Sequence, residues 1–140
     1  MSVDINCFLE MAKSSIEKSG EQWTRNAISR AYYTMYHSAL LLTDGYIPTN
    51  DEHGKRLSGG VHARLSEYLC GEKAAIDHSL DKNAAKKVGL KLKTAHHRRV
   101  IADYNLDKKV NRIDACSTIK DAEDLQSLIA GMIDTKKSAS

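Results

Sequence analysis

Proline occurs once in these 140 residues, at Pro48. Runs of β-branched residues are few, so little breaks helices and little favours sheet. Cysteine is scarce too. Cys7, Cys70 and Cys116 are odd in number, far apart and without a C-x-x-C pair, which reads as reduced thiols and excludes a disulfide framework. No stretch approaches the roughly eighteen apolar residues of a membrane span. The opening MSVDINCFLE has acids where a secretory leader has lysines, so the expected location is cytoplasmic. Also missing are a glycine-rich phosphate loop, an H-E-x-x-H pair and a Ser-His-Asp order. His53, His62, His78 and Cys70 follow no tetrahedral ligand spacing. Neither a metal nor a cofactor is expected.

What is present reads as an all-α chain. The hydrophobic fraction of 41% and charged fraction of 28% suit one domain with a real core, expected over residues 1–135 with a disordered tail at 136–140. Five helical segments are predicted. Residues 3–18 place Ile5, Phe8, Leu9, Ala12 and Ile16 on one side. A second helix follows, with Ser19 as its N-cap, and runs to about Asp44 before a stop at Gly45. Residues 46–60 are rich in turn formers and charge and are expected as a long mobile loop. Val61, Leu65, Tyr68 and Leu69 mark a short third helix, and Ala74 to Leu80 add a turn or two. The fourth spans roughly 83–104 with Gly89 as a weak point. Asp107 is expected to cap the last, whose buried face is Leu125, Leu128, Ile129, Met132 and Ile133. Such a set packs as an antiparallel up-and-down bundle of four to five helices.

The second helix has two unlike faces. At about 100° per residue, Ile28, Ala31, Tyr32, Met35, Ala39 and Leu42 form an apolar stripe, while Asn26, Arg30, Tyr33 and His37 line the opposite side. A solvent face is ordinarily rich in lysine and glutamate. This one offers an amide, a guanidinium, a phenol and an imidazole, groups that hold phosphate and move protons.

Charge is distributed unevenly. The net value is +3, yet residues 82–112 carry ten Lys or Arg against Asp103 and Asp107. So basic a segment suits a polyanion such as RNA, with Lys86, Lys87, Lys91 and Lys93 drawing its backbone. The plainer reading is a solvated lysine face. Within the same helix Arg99 falls in the apolar stripe of Val88, Leu92, Ala95 and Ala102. A buried arginine needs a partner, and Asp103, one turn on, is the nearest.

Two runs carry a family resemblance. Ser29-Arg30-Ala31-Tyr32-Tyr33, followed by Tyr36-His37-Ser38-Ala39, and Arg99-Val100-Ile101-Ala102-Asp103-Tyr104 resemble the R-A-Y-Y and R-x-x-A-D-Y signatures of the HEPN superfamily. The similarity is to its small single-domain bacterial and archaeal branch. Gly59-Gly60-Val61-His62 resembles the start of the family's middle helix. The resemblance spans about residues 5–133. It implies a bundle of four to five helices that dimerises, and a role in RNA binding or metal-independent RNA cleavage within toxin–antitoxin or phage-defence systems. A nucleotidyltransferase is a frequent partner. The family's catalytic arginine and histidine are separated by four to six residues, normally on the later helix. Here no histidine follows Arg99, and the spacing is met by Arg30 and His37 on the earlier helix.

Arg30 and His37 are therefore the expected working pair if RNA is cleaved, with Tyr33 and Asn26 orienting them. Arg99, Asp103 and Tyr104 are expected at the same pocket, with Arg99 on a phosphate. Cleavage without metal needs a base for the 2′-hydroxyl, a cation for the phosphorane and an acid for the leaving oxygen. A symmetric homodimer would present each group twice. The competing reading is a catalytically silent module that uses this face to bind a nucleotidyltransferase or other protein. In the blandest case Arg30 and His37 are satisfied by Asp103 or Tyr104 of a neighbouring helix.

Overall fold

The computed structural model describes residues 3–139. Their regular structure is helical: α1 (Asn6–Ile16), α2 (Glu21–Leu42), α3 (Val61–Cys70), α4 (Lys73–His78), α5 (Lys82–Tyr104) and α6 (Arg112–Ala139). Helix α2 lies at the centre, packed against α1, α5 and α6, while α3 lies on α5. Among the described residues the product is an all-helical bundle of six helices rather than four to five, the sixth being the short α4.

The periodicities account for the core. Ile28, Ala31, Tyr32, Met35, Ala39 and Leu42 of α2 are all buried, as are Leu65 and Leu69 of α3, Val88 and Leu92 of α5, and Leu125 and Ile129 of α6. Each large apolar side chain so buried contributes about 1.5–3 kcal/mol relative to exposure. Val61 is the exception to its stripe and is exposed. Gly89, expected as a weak point, has a packing reason. A Cβ there would lie 2.7 Å from Cys70 Sγ and 2.9 Å from Ser66 O, so the crossing of α3 and α5 needs a residue without a side chain.

Several boundaries differ from expectation, each with a local cause. The N-cap of α2 is Gly20 at φ 115°, not Ser19. At the other end Asp44 (φ 52°) and Gly45 (φ 80°) are both left-handed, and the Gly45 N–H reaches Leu40 O at 2.9 Å; the αL stop is thus shared between the two residues. Asp81 starts α5 by accepting from the Ala84 N–H at 2.8 Å. Helix α6 begins at Arg112 rather than after Asp107, because the intervening chain is tied to α2. Arg25 donates to Ile101 O, Ala102 O, Asn105 O and Lys108 O, and Glu21 accepts from the Val110 N–H. Residues 136–139, expected as a disordered tail, continue α6, and Ser140 lies outside the described residues.

The 46–60 segment, expected to be mobile, is internally bonded. Asn50 and Arg56 form an isolated bridge, and the Asp51 carboxylate accepts from the backbone N–H groups of His53 and Lys55, both at 2.9 Å. Arg64 of α3 anchors it by donating to Pro48 O at 2.7 Å.

Candidate functional site

Asn26, Arg30, Tyr33 and His37 occupy one side of α2 at spacings of three and four and are half-buried, because α1 and α5 shelter the edges of that side. Tyr33 is the hub. The guanidinium carbon of Arg30 lies 5.0 Å from its ring centre and that of Arg99 5.4 Å. Arg99 Nη2 also donates to Tyr33 Oη at 2.7 Å. Two guanidinium groups, from separate helices, therefore meet on one phenol.

One carboxylate serves both. Asp103 Oδ2 is 3.0 Å from Arg99 Nε, an ion pair lacking the alignment of a hydrogen bond. The same oxygen accepts from Ser29 Oγ at 3.1 Å, and Ser29 Oγ in turn accepts from Arg30 Nη2 at 3.2 Å. Arg30 forms no ion pair with any described residue, and its Nε is buried without a hydrogen-bond partner. Two cations against one anion leave the site positive. A buried donor without a partner costs about 1–3 kcal/mol, a cost that an incoming anion would remove.

His37 lies one turn beyond Tyr33 on α2, its ring centre 6.3 Å from that of Tyr33. Phe8 of α1 stacks on it at 5.3 Å with 11° between the planes. It makes no hydrogen bond within the described residues, and burial pushes its pKa below the usual imidazole range. At neutral pH it is an uncharged ring able to accept a proton.

Behind Tyr33 sits a second aromatic group. His62 of α3 stacks on His96 of α5 at 5.0 Å and 18°, and Tyr36 lies 4.6 Å from His62. Tyr32 Oη and His62 Nδ1 are 2.5 Å apart. Burial, with help from Tyr36, holds the Tyr32 phenol far above its ordinary range. Burial also depresses His62 to about 4, aided by His96, Arg99 and His37, and lowers His96, aided by Arg99 and His97. The imidazoles are neutral chiefly because they are buried, and the nearby Arg99 charge pushes His62 and His96 the same way.

The remaining expected residues are divided. Tyr104 is 65% exposed, with its ring 5.3 Å from the Arg99 guanidinium carbon, so it belongs to the site's rim. Asn26 does not orient Arg30 or His37: its amide donates to Ser15 Oγ of α1 at 2.9 Å. The lysines do not share one face. Lys86 and Lys87 are exposed. Lys91 pairs with Asp121 of α6 at 3.2 Å, and Lys93 pairs with Glu67 of α3. The exposed Lys93–Glu67 pair is worth about 0–1 kcal/mol, while the Lys91–Asp121 pair is half-buried.

Sequence reasoning did not bring His62, His96, Ser29 or Phe8 to this site. A signal existed for His62, which stands three and seven residues before the buried Leu65 and Leu69 and so faces inward. His96 stands four after the buried Leu92. For Ser29 nothing local pointed to Asp103, 74 residues away. Among the described residues no group of three or more His, Cys, Asp or Glu could hold a metal ion, and no helix is long and apolar enough to cross a membrane. Compared with known proteins, the chain matches no family model, no curated protein and no solved structure.

Proposed function

We propose that this chain binds RNA through the Arg30–Tyr33–Arg99 face and, with His37 as its proton-transfer group, cleaves it without metal in the manner of HEPN-type endoribonucleases. The observation that carries this reading is the convergence of Arg30 and Arg99 on Tyr33 with Asp103 as their single carboxylate. A phosphodiester completes that charge balance, and two guanidinium groups suit the extra charge of a phosphorane. In the reaction the 2′-oxygen forms a bond to phosphorus as the bond to the 5′-oxygen breaks. The neutral His37 ring accepts the 2′-proton, and the products are a 2′,3′-cyclic phosphate and a 5′-hydroxyl. The departing 5′-oxygen takes its proton from water and the His37 imidazolium returns its own to solvent, so the ring is neutral before and after the step; a homodimer would carry two such sites. A small RNA-cleaving chain of this kind fits a toxin or phage-defence role.

The test is incubation of the purified protein with RNA in EDTA, beside Arg30→Ala and His37→Ala. Cleavage by the wild type and its loss in both variants is the expected result. Undiminished cleavage by His37→Ala would remove that residue from the chemistry.

A second reading draws on a specific observation: Lys91 and Lys93 are committed to Asp121 and Glu67, which leaves fewer free cations for a nucleic acid. On this reading the face is a catalytically silent docking surface for a partner protein, a nucleotidyltransferase by the resemblance. Salt separates the two, since RNA binding through several cations weakens steeply with added salt.

A further inference from the structure

We propose that His62 is a fixed hydrogen-bond donor to the phosphate of the bound strand, set in its Nε2–H form by the hydroxyl of Tyr32. The proposal rests on the RNA-binding reading above and extends it to a residue on a third helix.

The argument begins with one proton. Tyr32 has no exposed surface, and the hydrogen bond of its hydroxyl is with His62 Nδ1, 2.5 Å away. A hydroxyl so enclosed stays protonated, and its proton has one destination, the Nδ1 lone pair. A neutral imidazole with Nδ1 accepting carries its own proton on Nε2. His62 therefore has no lone pair left at that edge and cannot act there as a base. What it offers is an N–H.

The surroundings aim that N–H at an anion. Rings close the faces of His62: His96 at 5.0 Å, Tyr36 at 4.6 Å and Tyr32 at 5.3 Å. His62 is half-buried, and its Nδ1 edge is the one turned to the buried Tyr32 hydroxyl, which leaves Nε2 on the opposite edge of the ring. Tyr33, hub of the two arginines, lies 6.4 Å from His62 between ring centres, which places the donor beside the cationic site. His62 also stands in the first turn of α3, where Gly60 gives no side-chain cap. The free backbone N–H groups of that turn add partial positive charge at the same end. A neutral donor adds direction without a third full charge, and it persists across the whole neutral range, unlike an imidazolium.

Two measurements test the proposal. In the first, long-range 1H–15N spectra of the labelled full chain at neutral pH should show His62 protonated at Nε2. Tyr32→Phe should convert it to a mixture of tautomers. A ring protonated at Nδ1 in the wild type would overturn the proposal without any RNA present. In the second, oligouridylate binding is compared across variants at His62. His62→Gln, which keeps a donor near the Nε2 position, should bind within about threefold of wild type. His62→Ala and His62→Asn should bind about tenfold or more weakly. Wild-type affinity in His62→Ala, with Arg99→Ala still impaired, would overturn the donor role and leave the RNA reading intact. Equal weakening in Gln, Asn and Ala would also overturn it. Absence of oligouridylate binding by the wild type would sink the RNA reading and this proposal together.

Discussion

Arg25 Nη1 donates to the carbonyl oxygen of Ala102 at 2.9 Å, joining the first turns of α2 to the last turn of α5. Ala102 O, in the last turn of α5, has no partner in the helix itself and this guanidinium satisfies it, while Ile101 O and Asn105 O also accept the backbone N–H groups of Asn105 and Lys108. Glu21 holds that guanidinium in place with an ion pair at 3.2 Å. Arg25→Ala strips donors from four carbonyls and is expected to cost about 2–4 kcal/mol. Urea unfolding would measure it. Arg25→Lys should recover only part of the loss, since an ammonium cannot span the same fork of acceptors.

Gly89 and Gly131 make a paired prediction within helices. Gly89→Ala forces a methyl to within 2.7–2.9 Å of Cys70 and the Ser66 carbonyl, so α3 and α5 must separate. The expected destabilisation is about 1–3 kcal/mol, larger than the gain of about 1 kcal/mol in helix propensity. Gly131 has nothing within 4 Å of a built Cβ. Gly131→Ala should stabilise the protein by about 0.5–1 kcal/mol. Melting curves with the same sign for both would contradict the close approach described here.

Arg30 and Arg99 should behave as a unit toward RNA. Each single change to Ala removes a charged contact worth about 1.5–3 kcal/mol, so binding should weaken about tenfold or more. The double variant should fall short of the sum, because Tyr33 and Asp103 couple the two. Additive losses in a double-mutant cycle would show that the arginines bind separately.

Stability should depend on pH through the imidazole group. His62 titrates at about 4 in the fold and near 6.5 unfolded, and His37 and His96 are lowered in the same direction. The unfolded chain thus binds more protons between these values. Stability is complete above pH 6.5, falls as pH drops toward 4, and changes little from this source below that. The slope is at most about 1.4 kcal/mol per pH unit for each group. Tyr32 and Tyr36 of α2 and Arg99 of α5 also face His62, and their raised pKa values keep each in one charge state across that window. His62→Gln should flatten the curve in urea titrations at successive pH values, and an unchanged slope would place the titration elsewhere.

How much of this was readable from residue order depends on distance along the chain. The face of Arg30, Tyr33 and His37 followed from helical spacing, and Arg99 stood out as a cation in an apolar stripe beside Asp103. Both are local patterns of three to four residues. The later start of α6 was not readable, since the turn before it is tied by Arg25 and Glu21 from α2, about eighty residues earlier. Asn26 looked like part of the site because helix geometry gives its direction, yet Ser15 of α1 claims its amide. The pairing of Lys93 with Glu67 likewise depends on how α3 lies on α5. Spacing reveals which way a side chain points, and tertiary packing decides what it meets.

Asp103 can balance only one of the two guanidinium groups flanking Tyr33. An unloaded molecule therefore keeps Arg30 half-buried with no carboxylate of its own and its Nε without a partner, at the expense of its own durability. Trimming the excess, as in Arg30→Met, should raise the melting point while dulling the response to phosphate. Sturdiness and readiness to take up an anion are set against each other at this single spot on the second helix.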